Sequence, residues 1–181
     1  MDVGATEMTF GLSEDMEVCR AVEDDMDYMI SCVRRSVEQS VDGIEKGMSD
    51  LWIESILNIA RSSMLERRMD DEMFVLKMRD GSYAGSLWLG TSADQFTCEI
   101  TGYILGIFVE PEFRRKGIGS ALLRYAEDWC REKGFLSLTL NVGWQNESAR
   151  SFYESHGYNV RSEVRRKNLH PLLWLSDVSC R

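Results

Sequence analysis

Residues 109–120 read Val-Glu-Pro-Glu-Phe-Arg-Arg-Lys-Gly-Ile-Gly-Ser, and this is where the chain most plainly offers chemistry. An apolar run ends, three adjacent cations follow, and two glycines open a helical pattern. A helix start carries unpaired amide hydrogens and a partial positive charge, so it binds phosphates. Glycine lets the backbone approach a ligand closely, and Arg114, Arg115 and Lys116 add charge where a pyrophosphate would lie. A basic loop that merely starts a helix is the plainer reading of a lone Gly-x-Gly. The P-loop pattern GxxxxGK[ST] is absent, and the dinucleotide pattern GxGxxG fails because Leu122 stands at its third glycine.

Two blocks decide between these readings. Arg114-Arg115-Lys116-Gly117-Ile118-Gly119 matches (Gln/Arg)-x-x-Gly-x-(Gly/Ala), flanked by Ile107-Phe108-Val109 and Ala121-Leu122-Leu123. Downstream, Asn146-x-x-Ala149-x-x-Phe152-Tyr153-Glu154-x-x-Gly157-Tyr158 is similar to Asn-x-x-Ala-x-x-Leu-Tyr-Glu-x-x-Gly-Phe. In this order and spacing they resemble the GCN5-related N-acetyltransferase (GNAT) family, strongly over residues 99–160 and more loosely from residue 16. The resemblance implies acetyl-coenzyme A as co-substrate, no metal, and direct acetyl transfer to a primary amine.

On that resemblance, Ile107 and Val109 offer backbone groups to the pantetheine arm, which lies along them like an added strand. Arg114, Arg115, Lys116, Gly117, Ile118, Gly119 and Ser120 form the pyrophosphate cradle. Asn146 bonds the coenzyme near the pantetheine and also caps its own helix. Tyr153 is implied as the general acid that protonates the departing thiolate. The general base departs from the family pattern. Relatives often carry a glutamate where this chain has Tyr103, and Asn141 stands where Glu or Asp is frequent. Glu99 lies four residues before Tyr103, on the same strand face by period-two counting unless a bulge intervenes. Ordered water that passes the amine proton to Glu99 or to bulk is the expected route. A non-catalytic acyl-coenzyme A-binding module remains the alternative.

The elements that must hold these residues follow from periodicity. Strands are expected at residues 16–22, 72–79, 82–89, 99–109, 135–142, 158–166 and 172–175. Helices are expected at 24–39, from a cap at Ser49 or Asp50 to near Arg68, from 118 to the C-cap Gly134, and after Asn146. Asp80-Gly81 marks a hairpin, and 90–97 reads as a loop. The order β-α-α-β-β-β-α-β-α-β-β describes an α/β (mixed α+β) fold: a central mixed, mostly antiparallel sheet with helices on both faces. Residues 1–15 are expected to be a flexible segment and 16–181 a single domain.

Composition narrows the partners. The 181 residues carry a net charge of −9, and all of that excess lies in residues 1–50, with thirteen carboxylates against four cations. A nucleic-acid binder would show a basic footprint instead. By resemblance the first helices flank the acceptor site, where Asp24, Asp25, Asp27, Glu38, Asp42, Glu45 and Asp50 would favour a cationic amine: a polyamine, an aminoglycoside, or a protein lysine or N-terminus. A solvated acidic face is the plainer reading. Five cysteines without a CxxC pair, and only two histidines, support neither a disulfide framework nor a zinc site. No apolar stretch is long enough to span a membrane, and the acidic start lacks signal-peptide character, so a cytoplasmic location is expected. Oligomeric state stays open, a homodimer included.

Overall fold

In the computed structural model, residues 15–40, 54–55, 57–59, 62, 71–165 and 167 are described. Strand β1 (Met16–Arg20) leads through a 3₁₀ turn (Glu23–Asp25) into helix α1 (Met26–Ser40). The hairpin β2 (Glu72–Met78) and β3 (Tyr83–Ala93) precedes β4 (Ile100–Val109), a second 3₁₀ turn (Pro111–Phe113) and α2 (Ile118–Lys133). Strand β5 (Leu138–Leu140) and α3 (Glu147–Ser155) follow. Residues 54, 55, 57–59 and 62 are helical, so the expected second helix is seen in part.

The five strands form one sheet in chain order. The β1–β2, β2–β3 and β3–β4 pairs are antiparallel, and β4–β5 is parallel across the α2 crossover. Pleating sends alternate residues to opposite faces. Phe74, Leu76, Leu87, Leu89 and Ile104 meet Ile118, Leu122, Ala126 and Trp129 of α2. Val75 and Trp88 meet Met29 of α1 on the other face. Helices therefore cover both faces, which is why β3 reads as a continuous apolar run through its middle. α2 buries a stripe at helical spacing, and Gly134 ends it in the left-handed conformation at φ 77°.

Asp25 departs from its expected place. Among the carboxylates at the start of α1 it is buried, 1% exposed. It accepts bonds from Tyr83 Oη (2.6 Å), Lys77 Nζ (2.7 Å) and the Val22 amide (3.0 Å). Burial pulls its pKa up, but these donors outweigh burial and hold the carboxyl below its ordinary value. It is a cap and an anchor between α1, β2 and β3, not part of a surface charge.

One expected strand is shortened and another is absent from the described residues, for one reason. Residues 135–142 alternate well, yet only Leu138–Leu140 pair, and Leu136 is 89% exposed. Residues 158–165 carry no strand at all. A strand needs a partner's hydrogen-bonding groups as well as a pattern, and among the described residues β5 pairs on one side only. Residues 172–175 lie outside the described residues. β3 errs the other way: it continues to Ala93 because Thr91, Ser92 and Ala93 pair with Gly102, Thr101 and Ile100, which shortens the expected 90–97 loop.

Candidate functional site

The parallel pairing of β4 with β5 ends at Ile104 and Leu140, while β4 continues to Val109. A bulge at this point, where Trp88 pairs with Gly106 and Leu89 with Ile104, leaves Leu105 unpaired and re-aims the strand. It falls after Tyr103, so it does not separate Glu99 from Tyr103. The Glu110 amide donates to Ala84 O (2.9 Å), which makes Gly85 and Val109 a non-hydrogen-bonded pair. By alternation, the N–H and C=O groups of Val109 and Ile107 point away from β3, into the gap that β5 leaves. Arg114 Nε donates to Val109 O (2.9 Å), so Val109's amide is the group it leaves open to a ligand.

Beyond Pro111 the chain curls. Arg115 and Gly117 both take left-handed conformations, at φ 59° and 81°, which turns successive amides into a concavity suited to an anion. α2 starts with Gly117 as N-cap, with no side-chain cap and no carboxylate in its first turn. Its first intrahelical bond runs from the Ala121 amide to Gly117 O (3.0 Å), so the Ile118, Gly119 and Ser120 amides lack helical partners. Arg114, Arg115 and Lys116 are exposed, with no salt-bridged carboxylate among the described residues. Ile118 contributes by its backbone alone, since its side chain is in the core.

The two glycines serve different ends. A Cβ on Gly117 would meet open space, and its left-handed φ is what demands glycine. A Cβ on Gly119 would sit 3.1 Å from Phe152 Cζ. Gly119 thus lets α3 pack against the start of α2, a reason for glycine that the sequence alone did not give. That packing sets Tyr153. Its ring lies against the core, 5.8 Å from the Tyr158 ring, and burial pushes its phenol up to about 12. Its hydroxyl has no hydrogen-bond partner among the described residues. A phenol with that pKa stays protonated at neutral pH, in the form an acid needs. Asn146 caps α3, its Oδ1 accepting from the Ala149 amide (3.1 Å), which leaves its Nδ2 free to donate.

Glu99 is exposed and precedes β4, at the opposite end from Val109. It shares the wall of a cavity of about 620 Å³ with Leu136, Ser137 and Arg161. Ile104 lies five residue steps further along the strand, a span of roughly 17 Å. Tyr103 sits one residue before the splay, where the Asn141 amide bonds its phenol and burial pushes its pKa up. Among the described residues no group of His, Cys, Asp and Glu could hold a metal ion. No described helix is long and apolar enough to cross a membrane.

Two features were not visible in the sequence. Arg35 of α1 grips Glu110 with both terminal nitrogens at 2.8 Å and stacks 4.3 Å from the centre of Phe108. The pairing holds the Glu110 carboxyl below its ordinary value and ties α1 to the start of the loop that leads into α2. Ser120 Oγ lies 2.8 Å from His156 Nε2, which joins α2 to α3. No local pattern announces either pair, because their members are 75 and 36 residues apart.

A strand edge left open beside an uncapped, cation-flanked helix start is an arrangement suited to an extended, phosphate-bearing ligand. The chain belongs to the acetyltransferase (GNAT) family, whose model matches residues 42–158. It is 30% identical over 106 residues to an uncharacterized N-acetyltransferase from Methanocaldococcus jannaschii, covering 56% of this chain and 45% of that protein. The match thus spans less than half of that relative's length. It is 28% identical over 156 residues to spermidine N(1)-acetyltransferase from Thermoplasma acidophilum, covering 80% of this chain and 89% of that protein. A putative acetyl transferase from Pyrococcus furiosus shares the fold at a TM-score of 0.69 and 24% identity, covering 86% of this chain and all of that one.

Proposed function

We propose that this protein is an acetyl-coenzyme A-dependent N-acetyltransferase acting on a primary amine of a cationic acceptor. The observation that carries this reading is the pairing of an uncapped α2 start with the open edge of β4. The first suits a pyrophosphate and the second an amide-bearing arm. Arg114, Arg115, Lys116 and the amides of Gly117 to Ser120 receive the phosphates. Ile107, Val109 and Asn146 Nδ2 hold the pantetheine.

In the reaction, the neutral amine attacks the thioester carbonyl and a backbone amide of β4 stabilises the oxyanion. The tetrahedral intermediate collapses, the C–S bond breaks, and Tyr153 gives its proton to sulfur. The proton that the amine sheds leaves through ordered water to Glu99 or to bulk, and the place of Glu99 at the far end of β4 favours bulk.

The charge of the acceptor rests on the acidic first fifty residues, now without Asp25. Asp24, Asp27 and Glu38 are exposed, and Asp42, Glu45 and Asp50 lie outside the described residues. The likeness to a spermidine acetyltransferase supports a polyamine, while an aminoglycoside or a protein lysine or N-terminus has the same chemistry. Tyr103 and Asn141, which replace carboxylates, favour the second reading, an acyl-coenzyme A-binding module without turnover. Thiol release from acetyl-coenzyme A decides between them. Release should be faster with spermidine than with neutral or acidic amines, and that preference should shrink at high salt. No release with any amine leaves the binding module, and a neutral acceptor that wins at every ionic strength removes the role of the acidic segment.

A further inference from the structure

His156, at the end of α3, is bonded to Ser120 in the first turn of α2. Its Nδ1 lies 2.7 Å from Phe152 O, a group that only accepts, so Nδ1 carries the hydrogen. Ser155 Oγ lies 3.2 Å from the same nitrogen and is itself bonded to Phe152 O (2.7 Å). In the neutral ring Nε2 is then a bare acceptor, and its 2.8 Å partner Ser120 Oγ must be the donor. Ser120 belongs to the first turn of α2, whose free amides form the cradle. With its hydrogen spent on His156, the Ser120 hydroxyl turns only lone pairs toward an incoming phosphate. Protonation reverses the bond: Nε2–H donates to Ser120 Oγ, and the serine hydrogen is released to point at the anion.

We propose that His156 is a positioning residue for the cofactor. Its protonation state decides whether Ser120 meets the pyrophosphate as a donor or as an acceptor, so cofactor binding takes up a proton at this ring. The inference rests on the cofactor reading above and adds to it a residue and a pH dependence. Reciprocity requires both directions: a protonated ring binds the anion more tightly, and a bound anion holds the ring protonated.

The surroundings of the ring leave this bond as the one that switches. Phe152 packs on one side at 4.5 Å. Glu127 and Arg131 of α2, Tyr158 and Arg161 beyond α3, and Asp94 and Glu99 before β4 line the cavity on another side. Glu127 is bonded to Arg131 (3.4 Å) and Tyr158 (3.5 Å), and Asp94 to Arg161 (2.8 Å). Burial pushes the Cys130 thiol up to about 11, so it keeps its proton through the neutral range. None of these groups fits between Ser120 and the ring at 2.8 Å. On the cradle side stand Arg114, Arg115 and Lys116, and the cost of placing a further cation beside them falls once the pyrophosphate is bound.

The test is calorimetric binding of acetyl-dephospho-coenzyme A between about pH 5.5 and about pH 8, the range in which histidines titrate. The thioester masks the thiol. Removing the 3′-phosphate leaves no phosphomonoester, whose second pKa near ~6 would imitate the effect. The wild type should bind roughly fivefold more tightly at the acid end, the value of about one hydrogen bond. His156→Gln should flatten the profile, and Ser120→Ala, which keeps the amide and loses the hydroxyl, should remove most of the slope whatever its affinity at the alkaline end. A flat wild-type profile with intact binding overturns the inference and leaves the cofactor reading standing. A slope unchanged in either variant also overturns it, because the proton would then bind elsewhere or act through charge alone. No binding at any pH removes both.

Discussion

The starts of α2 and α3 solve the same problem in opposite ways. Each must deal with amide hydrogens that the helix itself cannot use. α3 satisfies one internally, through Asn146 Oδ1, and carries Glu147 in its first turn against the positive end of the dipole. α2 does neither: its N-cap is a left-handed glycine, its first turn holds no carboxylate, and the residues before it are cations. An N-terminus that lacks a cap and gathers positive charge is unfavourable for an isolated helix. It is stabilised here by the buried stripe from Ile118 to Cys130 and is left open for an anion. On the proposed function, the difference between the two starts separates a helix that would orient a catalytic side chain from one that would bind with its own backbone.

The largest way to break this contrast is at the chemistry α3 presents. Tyr153→Phe keeps the ring packing and removes the proton, so kcat should fall about 10²–10⁴-fold while acetyl-coenzyme A affinity stays close to wild type. Steady-state rates alongside calorimetry would show the split, and a variant with most of its turnover would make Tyr153 a core aromatic. The next largest effect lies at α2. Gly117→Val forces a β-branched residue into a left-handed conformation, at a cost of about 1–2 kcal/mol, and sets its side chain in the open space before the helix. Cofactor binding should become undetectable in a fold that persists by circular dichroism. Gly119→Ala should behave differently. Its methyl presses on Phe152, so kcat should suffer through a shifted Tyr153 more than the cofactor Kd does. Equal loss of affinity in both glycine variants would contradict the separate reasons assigned to them. The smallest effect is expected at Asn146→Ala, where losing the cap costs about 1 kcal/mol of stability. Thermal melts should register it as a few degrees.

The legibility of these features in the sequence followed their range along the chain. The α2 start could be read because its cations, glycines and apolar stripe are contiguous, and Asn146 and Gly134 because capping is local. The general course of β2, β3 and β4 was also evident from pattern and from Asp80-Gly81. What could not be read depends on pairing. Leu136, Leu138 and Leu140 alternate as a longer strand would, but nothing in that alternation says that β4 turns away at Leu105. The grip of Arg35 on Glu110 and the Ser120–His156 bond close over long sequence separations. Asp25 looked like one of several surface carboxylates because the Lys77 and Tyr83 that bury it come from another part of the chain. Gly119 was assigned to the ligand on motif grounds, and its second constraint, the closeness of Phe152, is visible only when α3 is in place.

The central claim is that the open start of α2 and the free edge of β4 together form an acetyl-coenzyme A site, and thermal unfolding with and without that ligand tests it most directly. Ligand at a hundred times its Kd adds ~2.7 kcal/mol, which for a domain of this size corresponds to a rise in Tm of about 5–10 °C. The account predicts that rise with acetyl-coenzyme A and its loss in Gly117→Val, while NADH and ATP produce little or none. An unchanged Tm at millimolar acetyl-coenzyme A, or an equal rise in Gly117→Val, would contradict it.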